Sequence, residues 1–588
     1  MIRLTMAASA LMLATACGQS TDESDPITPE TPPVESEASD APALLMPLPE
    51  NTSAAITAAD MHQRIAALAD DAFEGRAPAA EKGEQAADWI AAEMARLGLQ
   101  PAGENGTWFQ TVGMVEQTLD ENASGLTFAG GASGDDYPMV LKEDAVIWTK
   151  KQDRDQAEWA DSELVFVGYG VVAPEYGWND YEGLDVEGKT VVMLVNDPGY
   201  AREDELFKGK SMTYYGRWTY KFEEAGRQGA TGAIIVHETA PASYGWDVVA
   251  NSWSGAQADL VRSDGGDNRT LYEGWITEET ARALFAEGGL DFDEMKTAAK
   301  TEGFTHVDMG ELTASGNLVQ TVSTTESRNV AGVLPGNTAP DEYMLFTAHW
   351  DHLGKKSADR EGEPNQDFYR DDIFNGAVDN ATGSAALLEM AEAMAAEELD
   401  RSALFLAVTL EESGLLGSAY YAENPTIPMN QIVAGLNMDA MLPVGPTNDM
   451  VVVGFGASEL EDLLREHLDE TNRTLVPDPN PQAGYFYRSD HVSFAKKGVP
   501  MLYADGGIDK VDGGVAAGKA FADTYTAQRY HKPMDDYDAE WDLTGMEQDV
   551  TALYSVGLKI ATSDAWPTWY PGNEFEAIRQ ASLAERDE

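Results

Sequence analysis

The feature that most constrains the fold is an alternation of short apolar runs with amphipathic helical patterns after residue 315. Four of these runs have the length and composition of strands: YMLFTA, ALFLAVTL, IVAGLNM and VPMLYAD. Helical patterns such as that of residues 385–396 separate them. Runs this apolar are usually buried on both faces, so the pattern predicts an α/β fold whose helices cover both faces of a mostly parallel sheet.

The first half of the chain has a different pattern of apolar residues. Met61, Ile65 and Leu68 recur at helical spacing, and a second helical pattern follows the Gly- and Pro-containing break FEGRAPA. Between residues 162 and 306 the runs become short and strand-like, as in ELVFVGYG, KTVVMLVND and GAIIVH. We therefore expect a separate β-rich unit that interrupts the first fold.

Side chains of the kinds that bind metals follow three of the strand candidates, begin a helix, or lie beyond the last strand. In chain order they are His349, Asp351, Asp379, Glu411, Glu412, Asp439 and His531. The carboxyl ends of strands in an open α/β sheet converge on one crevice, so we expect these groups to meet there. Each residue alone has a plainer explanation: Asp379 could cap a helix and Glu411 with Glu412 could form an exposed turn.

The chemistry of this set points to zinc, with manganese or cobalt as substitutes, because histidine and carboxylate ligands are present without a thiolate. Two histidines and even three of these carboxylates are too many for one tetrahedral catalytic ion that keeps an open position. They fit two ions about 3.5 to 4 Å apart that share a carboxylate.

Five ordered motifs carry a resemblance to a known family: AHWDHLG, NGAVDNATGSAALLE, TLEESGLLGS, NMD and RYHKP. Together they resemble the di-zinc aminopeptidases of family twenty-eight of the metallopeptidases, clan MH, over about residues 56–562. The resemblance implies a three-layer α/β/α zinc-peptidase fold. The segment that begins GYGVVAPEYGWNDYEG resembles the protease-associated domain inserted in many of these enzymes.

The resemblance also implies a role for each motif residue. Asp379 would bridge two Zn²⁺ ions, His349 and Asp439 would bind one, and Glu412 and His531 would bind the other. Glu411 would be the general base, and Asp351 would be the carboxylate that orients a ligand. Tyr530 would donate a hydrogen bond to the oxyanion. His352 matches no ligand position of the family, and we expect it to form hydrogen bonds behind the ligands or to line the loop.

A further segment, FYRSDHVSFAKKGVP, resembles the part of the family that runs along the substrate pocket. Arg488 and Asp490 are candidate substrate contacts within it. The alternative is that Ser489 and Asp490 cap the helix that leads to the next strand.

These residues predict an aminopeptidase that hydrolyses N-terminal residues of peptides through a hydroxide between the metals, with Glu411 taking the proton. A free α-amine would meet carboxylates such as Asp439 beside the metals. A carboxypeptidase or dipeptidase remains an alternative because Arg488 could bind a terminal carboxylate. Two further alternatives are a single-zinc glutaminyl cyclase and a metal-free surface-binding protein. The zinc content distinguishes them, because the aminopeptidase would bind two ions per chain, the cyclase one and the binding protein none.

The N-terminus has the layout of a signal peptide: Arg3, then apolar and small residues from Leu4 to Ala16, then Cys17. We expect Cys17 to be lipidated as in bacterial lipoproteins; plain secretion is the alternative. The enzyme would be exported and would face the periplasm or the exterior. With one cysteine the chain forms no intrachain disulfide.

The patterns divide the chain into six parts, and the charge limits its partners. The parts are a signal peptide (1–17), a disordered tether (18–53), a first part of the peptidase domain (54–145), the inserted domain (146–315), a second part with all metal ligands (316–565) and a tail (566–588). The formal net charge is -62, with 39 basic and 101 acidic residues. This charge argues against nucleic acid and anionic membranes as partners, so we expect peptide substrates and membrane contact only through the lipid.

Overall fold

A computed structural model describes residues 44–355 and 372–586; the predicted lipidation site Cys17 lies outside them. The first elements are two helices and two strands: α1 (Ala58–Leu68), α2 (Glu81–Arg96), β1 (Gln100–Pro101) and β2 (Phe109–Leu119). Helix α1 starts at Thr57, whose hydroxyl accepts a hydrogen bond from the Asp60 amide. Met61 and Ile65 are fully buried, as their helical spacing predicts.

The next region is rich in short strands. Its strands are β3 (Gly125–Ala129), β4 (Tyr137–Pro138), β5 (Ala145–Trp148), β6 (Gln156–Phe166), β7 (Val172–Ala173), β8 (Trp178–Asn179), β9 (Thr190–Leu194), β10 (Gly232–Val236), β11 (Ala256–Leu260), β12 (Tyr272–Ile276) and β13 (Val307–Leu334). Its helices are α3 (Trp218–Gln228), α4 (Thr239–Ala242), α5 (Trp246–Ser252), α6 (Glu278–Glu287) and α7 (Phe292–Ala299). Strands β6, β9, β10 and β12 pair in parallel and form the centre of a second sheet.

The remaining elements alternate strand and helix. The strands are β14 (Ala339–His349), β15 (Gly354–Lys355), β16 (Ile373–Phe374), β17 (Arg401–Val408), β18 (Ile432–Asn437), β19 (Asp449–Val453), β20 (Thr474–Pro477) and β21 (Met501–Asp505). The helices are α8 (Gly383–Met394), α9 (Leu416–Glu423), α10 (Leu460–Glu470), α11 (His491–Ala495), α12 (Gly514–Gln528), α13 (Thr544–Ala561) and α14 (Glu576–Arg586). None of the helices in the described part of the chain is both long and apolar enough to cross a bilayer.

Four parallel strands, in the order β17, β14, β18 and β21, form the centre of the main sheet. Alternate residues of these strands face opposite sides: Phe346 and Phe405 pack among α1, α2, α8 and α13, whereas Leu345 and Leu404 pack with α9 and α11. Both faces are therefore covered by helices. The predicted α/β class, with a largely parallel sheet between two helical layers, is confirmed.

The two sheets share one strand. The first half of β13 pairs with β6 and β3 of the second sheet, and its second half pairs with β2 and β17 of the main sheet. The second sheet thus starts before residue 146 and ends inside a strand that runs past residue 315. Its assignment to a protease-associated domain stays a prediction.

Candidate metal centre

The carboxyl ends of β14 and β18 place a histidine beside an aspartate. Parallel pairing aligns Thr347 with Asn437, so the residues that follow them emerge at the same edge. His349 Nε2 lies 3.2 Å from Asp439 Oδ1. His349 is buried, and its Nδ1 donates to the Asp351 carbonyl at 3.2 Å, which fixes the orientation of the ring.

Asp379 lies between two histidines. Its Oδ1 is 3.3 Å from His349 Nε2, and its Oδ2 is 3.2 Å from His531 Nε2. The preceding turn depends on Gly376, which has φ 52°. A Cβ there would lie 2.1 Å from the Asp379 carbonyl oxygen and 2.5 Å from His352 Cδ2, so no larger residue fits. This turn holds Asp379 in a position from which its carboxylate could bind two ions.

Glu411 and Glu412 follow β17, and their side chains lie near different members of the cluster. Glu412 Oε2 is 3.1 Å from His531 Nε2, whereas Glu411 groups with His349 and Asp439. Burial raises the pKa of Glu411 well above its ordinary value. Burial and the charge of Asp379 oppose ionisation of Glu412 as well, but hydrogen bonds from His352 and His531 lower its pKa to about 2.

His352 lies closer to the cluster than a loop-wall residue would. Its buried Nδ1 donates to Glu412, and the ring groups with Asp379 and Glu412 at ligand spacing. Its Nε2 has no hydrogen-bond partner among the described residues. The hydrogen bond agrees with a supporting role behind the ligands, and the geometry also makes His352 an alternative to His531 as a ligand.

Asp351 contacts the cluster through both its carboxylate and its backbone carbonyl. Its Oδ1 accepts from the Glu411 amide at 3.1 Å, while the same oxygen is 3.8 Å from His349 Nδ1. The carbonyl rather than the carboxylate therefore orients His349. Burial raises the pKa of Asp351 to about 8, and its Oδ2 has no partner within the described part of the chain.

The charge balance of the site tests whether the residues fit metal ions. Five carboxylates converge here, and in residues 44–355 and 372–586 none forms an ion pair with lysine or arginine: Asp351, Asp379, Glu411, Glu412 and Asp439. Burying this many acids without a cation is costly. Carboxylates and imidazoles without thiolates are the ligands that zinc, manganese and cobalt accept. The residues fit divalent cations.

Arg76 holds the loops of the centre together, and the sequence analysis did not single it out. Its buried guanidinium donates to the carbonyls of Trp350 (2.8 Å), Asn375 (2.6 Å) and Gly376 (2.9 Å). It thereby joins the loop after His349 to the turn before Asp379. The only sequence signal is an arginine in the FEGRAPA break, which is too common a pattern to indicate this role.

Asp535 plays a similar part and was also missed. Its carboxylate accepts from the backbone amides of Val378 and Asp379, each at 3.1 Å, and lies four residues after His531 in the chain. Burial raises its pKa to about 6. Asp535 connects the loop of His531 to the turn of Asp379, and a carboxylate near a motif histidine could have suggested it.

The other predicted residues surround the cluster. Tyr530 is 42% exposed and its ring stacks on His531 with centroids 3.9 Å apart. Arg488 is partly exposed, whereas Asp490 is fully buried and both its oxygens lack partners among the described residues. Asp490 thus lies behind the centre, not on its surface.

The segment that contains the predicted ligands matches a known family. Residues 329–555 match the model of Peptidase family M28, and they include every predicted metal ligand from His349 to His531. The match agrees with the expected enzyme class, that of a peptide hydrolase. Arg76 lies outside the matched segment.

Similar proteins cover parts of the chain. A probable zinc metalloprotease of Pyrenophora teres f. teres is 31% identical over 110 residues, 19% of this chain and 22% of that protein. Leucine aminopeptidase 2 of Trichophyton equinum is 25% identical over 231 residues, 36% of this chain and 41% of that protein. This chain therefore spans less than half the length of either relative. Among solved structures, an aminopeptidase from Aneurinibacillus sp. strain AM-1 has a TM-score of 0.45 at 17% identity, covering 86% of this chain and 94% of that one.

Proposed function

We propose that this protein is a two-zinc aminopeptidase that removes N-terminal residues from peptides. The observation that supports this most is the position of Asp379, whose two oxygens face His349 and His531 on opposite sides. His349 and Asp439 would hold one ion, and Glu412 and His531 the other. Zinc bound here would act as a Lewis acid and would supply a nucleophilic water at neutral pH.

Glu411 is the proposed proton carrier. Its backbone amide donates to Asp351, and its carboxylate lies near His349 and Asp439 without a lysine or arginine partner among the described residues. Its raised pKa suits a group that takes a proton from the attacking water and passes it to the leaving amine. Tyr530, whose ring stacks on His531 and is partly open to solvent, would donate its hydroxyl to the substrate carbonyl oxygen as charge develops there.

The preference for the N-terminus follows from charge. The free α-amine of a peptide is cationic or a hydrogen-bond donor, and the acidic cluster around Asp439 and Glu411 attracts it. A terminal carboxylate would be repelled there. An aminopeptidase is therefore favoured over a carboxypeptidase.

The test is hydrolysis of a leucine-headed peptide by the full-length protein, with the peptide amine free or acetylated. We expect cleavage of the free-amine peptide alone, loss of activity with a chelator and recovery with zinc. Equal cleavage of both peptides, or release of the C-terminal residue, would contradict an aminopeptidase.

Metal content tests the number of ions independently. Elemental analysis after zinc loading and gel filtration should give about two zinc ions per chain. One ion would favour a cyclase-type centre, and none would favour a binding protein on a peptidase scaffold.

We also propose that the enzyme acts outside the cytoplasm and is held at a membrane by a lipid on Cys17. The support is the order of Arg3, an apolar run and a single cysteine. Labelled palmitate should be incorporated by the wild type and not by Cys17→Ala; equal labelling would contradict the proposal.

A further inference from the structure

The C-terminal tail is fixed to the main-sheet region at two places. Trp569 is buried, and its Nε1 donates to the Gly498 carbonyl at 3.0 Å. Further along, the buried Arg579 donates to the carbonyls of Ile432 (3.2 Å) and Val433 (2.6 Å) at the start of β18. A Cβ on Gly498 would lie 2.7 Å from the Arg579 nitrogen, so the tail packs directly on that backbone. The stretch between these two anchors is therefore held in place from both ends.

Glu574 lies between the two anchors and contacts the second-sheet region, which runs from β3 to the first half of β13. Its side chain is 2% exposed, and Lys208 Nζ, between β9 and α3, donates to its Oε2 at 2.8 Å. The buried Tyr487 of the main-sheet region donates its hydroxyl to the other oxygen, Oε1. One carboxylate of the tail thus joins a lysine of one region to a tyrosine of the other.

The charge of Glu574 is retained in spite of its burial. Burial opposes ionisation of this carboxyl, but the charge and hydrogen bond of Lys208 and the hydroxyl of Tyr487 lower its pKa below the ordinary value. Removing one partner of a buried ion pair leaves the other without compensation. Lys208 and Glu574 are 366 residues apart in the chain, so the pair forms only when both regions are folded and in contact.

Other contacts between the two regions surround this carboxylate. The Met212 amide donates to the Pro481 carbonyl at 3.2 Å. The ring of Tyr214 lies 6.2 Å from the rings of both Tyr487 and the tail residue Phe575, which is buried. The tail, the second-sheet region and the main-sheet region therefore meet at one joint.

The same joint leads to the metal centre. Ser489, two residues after Tyr487, donates its hydroxyl to Asp439 Oδ2 at 2.5 Å. The backbone between them is short, so a shift of Tyr487 would move a side chain that contacts a predicted metal ligand. Glu574 can act on the metal centre only through this segment, because its own carboxylate binds Lys208 and Tyr487.

We propose that the C-terminal tail is a strap that holds the second-sheet region against residues 481–489, and that Glu574 is its positioning residue. The effect on catalysis rests on the proposed peptidase function, whereas the effect on the joint does not. Without the charge of Glu574, Tyr487 loses a strong acceptor and Lys208 loses its counter-charge, so the joint opens more often.

Hydrogen exchange of the full-length protein, followed by mass spectrometry, measures this opening without any need for activity. In Glu574→Gln the amides of residues 205–217 and 481–489 should exchange about tenfold faster than in wild type, while β14 and β18 keep their rates. Glu585→Gln, which removes an exposed glutamate of the same tail, is the matched control and should exchange like wild type. Unchanged exchange in Glu574→Gln, or faster exchange throughout the protein, would overturn the strap.

Substitution of Lys208 tests the contact from the other side. Lys208→Met should accelerate exchange in the same two stretches, whereas Lys208→Arg should keep the wild-type rates because a guanidinium also pairs with a carboxylate. Lys208→Met combined with Glu574→Gln should exchange no faster than Glu574→Gln alone, because both changes remove one contact. Lys142→Met, at an exposed ion pair of the same region, is the control. Additive effects of the two substitutions would contradict a shared contact.

Peptide kinetics test the effect on the active site. Zinc-loaded Glu574→Gln should have a KM for a leucine-headed peptide about three- to tenfold above that of wild type, at an unchanged zinc content. A loss of folded protein alone would lower the apparent kcat and leave KM unchanged. Lys208→Arg should keep the wild-type KM.

The outcomes separate this proposal from the proposed function. If wild type cleaves no peptide, the peptidase function fails, and the exchange measurements still decide whether the strap exists. If Glu574→Gln exchanges faster at the joint but keeps the wild-type KM, the tail braces the fold without positioning the site, and the role of Glu574 as a positioning residue is overturned.

Discussion

Two buried clusters of carboxylates lie at the two ends of α8. At its start the Asp379 turn joins the metal centre, where histidines are the only basic partners of the carboxylates among the described residues. At its end Glu389 and Glu392 meet Arg64 of α1, which also binds Glu93 of α2 at 3.1 Å. Both clusters are largely buried, and they differ in their counter-charge. A cluster with its own arginine carries its counterion within the fold, whereas a cluster without lysine or arginine suits cations taken from solution.

The largest effect is expected from substitutions in the metal centre, where Glu411 and its neighbour Glu412 should give different results. Glu411→Gln should lower kcat by about 10² to 10⁴ while keeping two zinc ions, because it removes the proton carrier and no ligand. Glu412→Gln should lose one ion, because it removes a ligand. Elemental analysis and peptide kinetics on both variants make the comparison, and wild-type turnover by Glu411→Gln would remove Glu411 from the mechanism.

The cluster of glutamates around Arg64 should contribute to the stability of the folded protein. Arg64→Met should lower the free energy of unfolding by about 3 to 5 kcal/mol, because it leaves buried glutamates without a partner. Urea denaturation measures this change. Arg282→Met, at an exposed ion pair, should change it by less than about 0.5 kcal/mol. A similar small change in both variants would show that the Arg64 cluster does not need its arginine.

A smaller effect is expected where a carboxylate supports the centre without binding metal. Asp535→Asn should weaken zinc binding by about 10- to 100-fold, since the turn of Asp379 loses a charged acceptor for two amides. Asp538→Asn, three residues later, is the control. Competition with a fluorescent zinc chelator gives both affinities; equal affinities would exclude this role for Asp535.

The smallest expected effect is a pH dependence of the protein's stability that arises from Glu389 in the cluster around Arg64. Burial raises the pKa of Glu389 from its ordinary value of 4.5 to about 7, despite Arg64 and the Thr57 amide, so the folded protein holds this proton more tightly than the unfolded chain. The stabilising contribution is complete below pH 4.5 and is lost as the pH rises toward about 7. Thermal melts of metal-free protein should show a flatter pH profile for Glu389→Gln than for wild type or for the exposed-site control Glu423→Gln. A profile that keeps the wild-type slope would contradict the raised pKa.

The strands and their polar ends could be predicted because both follow from local pattern. YMLFTA and IVAGLNM lie in β14 and β18, and the residues after them meet because parallel strands end at one edge. The roles of the motif residues as ligands and base stay predictions that the variants above test.

Arg76 and Asp535 could not be predicted in the same way. Both act on backbone groups, and a backbone carbonyl or amide leaves no mark in the sequence. Arg76 also reaches Trp350 across 274 residues of chain, a distance over which no local pattern is informative. The position of His352 beside Glu412 depends on the same loop and was only partly anticipated.

The strand β13 has a mechanical consequence. Because its 28 residues are hydrogen-bonded first into one sheet and then into the other, the chain crosses this junction as a strand and not as a flexible linker. Its pairing changes from β6 at Val319 to β2 at Gln320, so bending between the two sheets would be confined to this one step. We therefore expect the free and inhibitor-bound protein to differ by no more than a small rotation about that step.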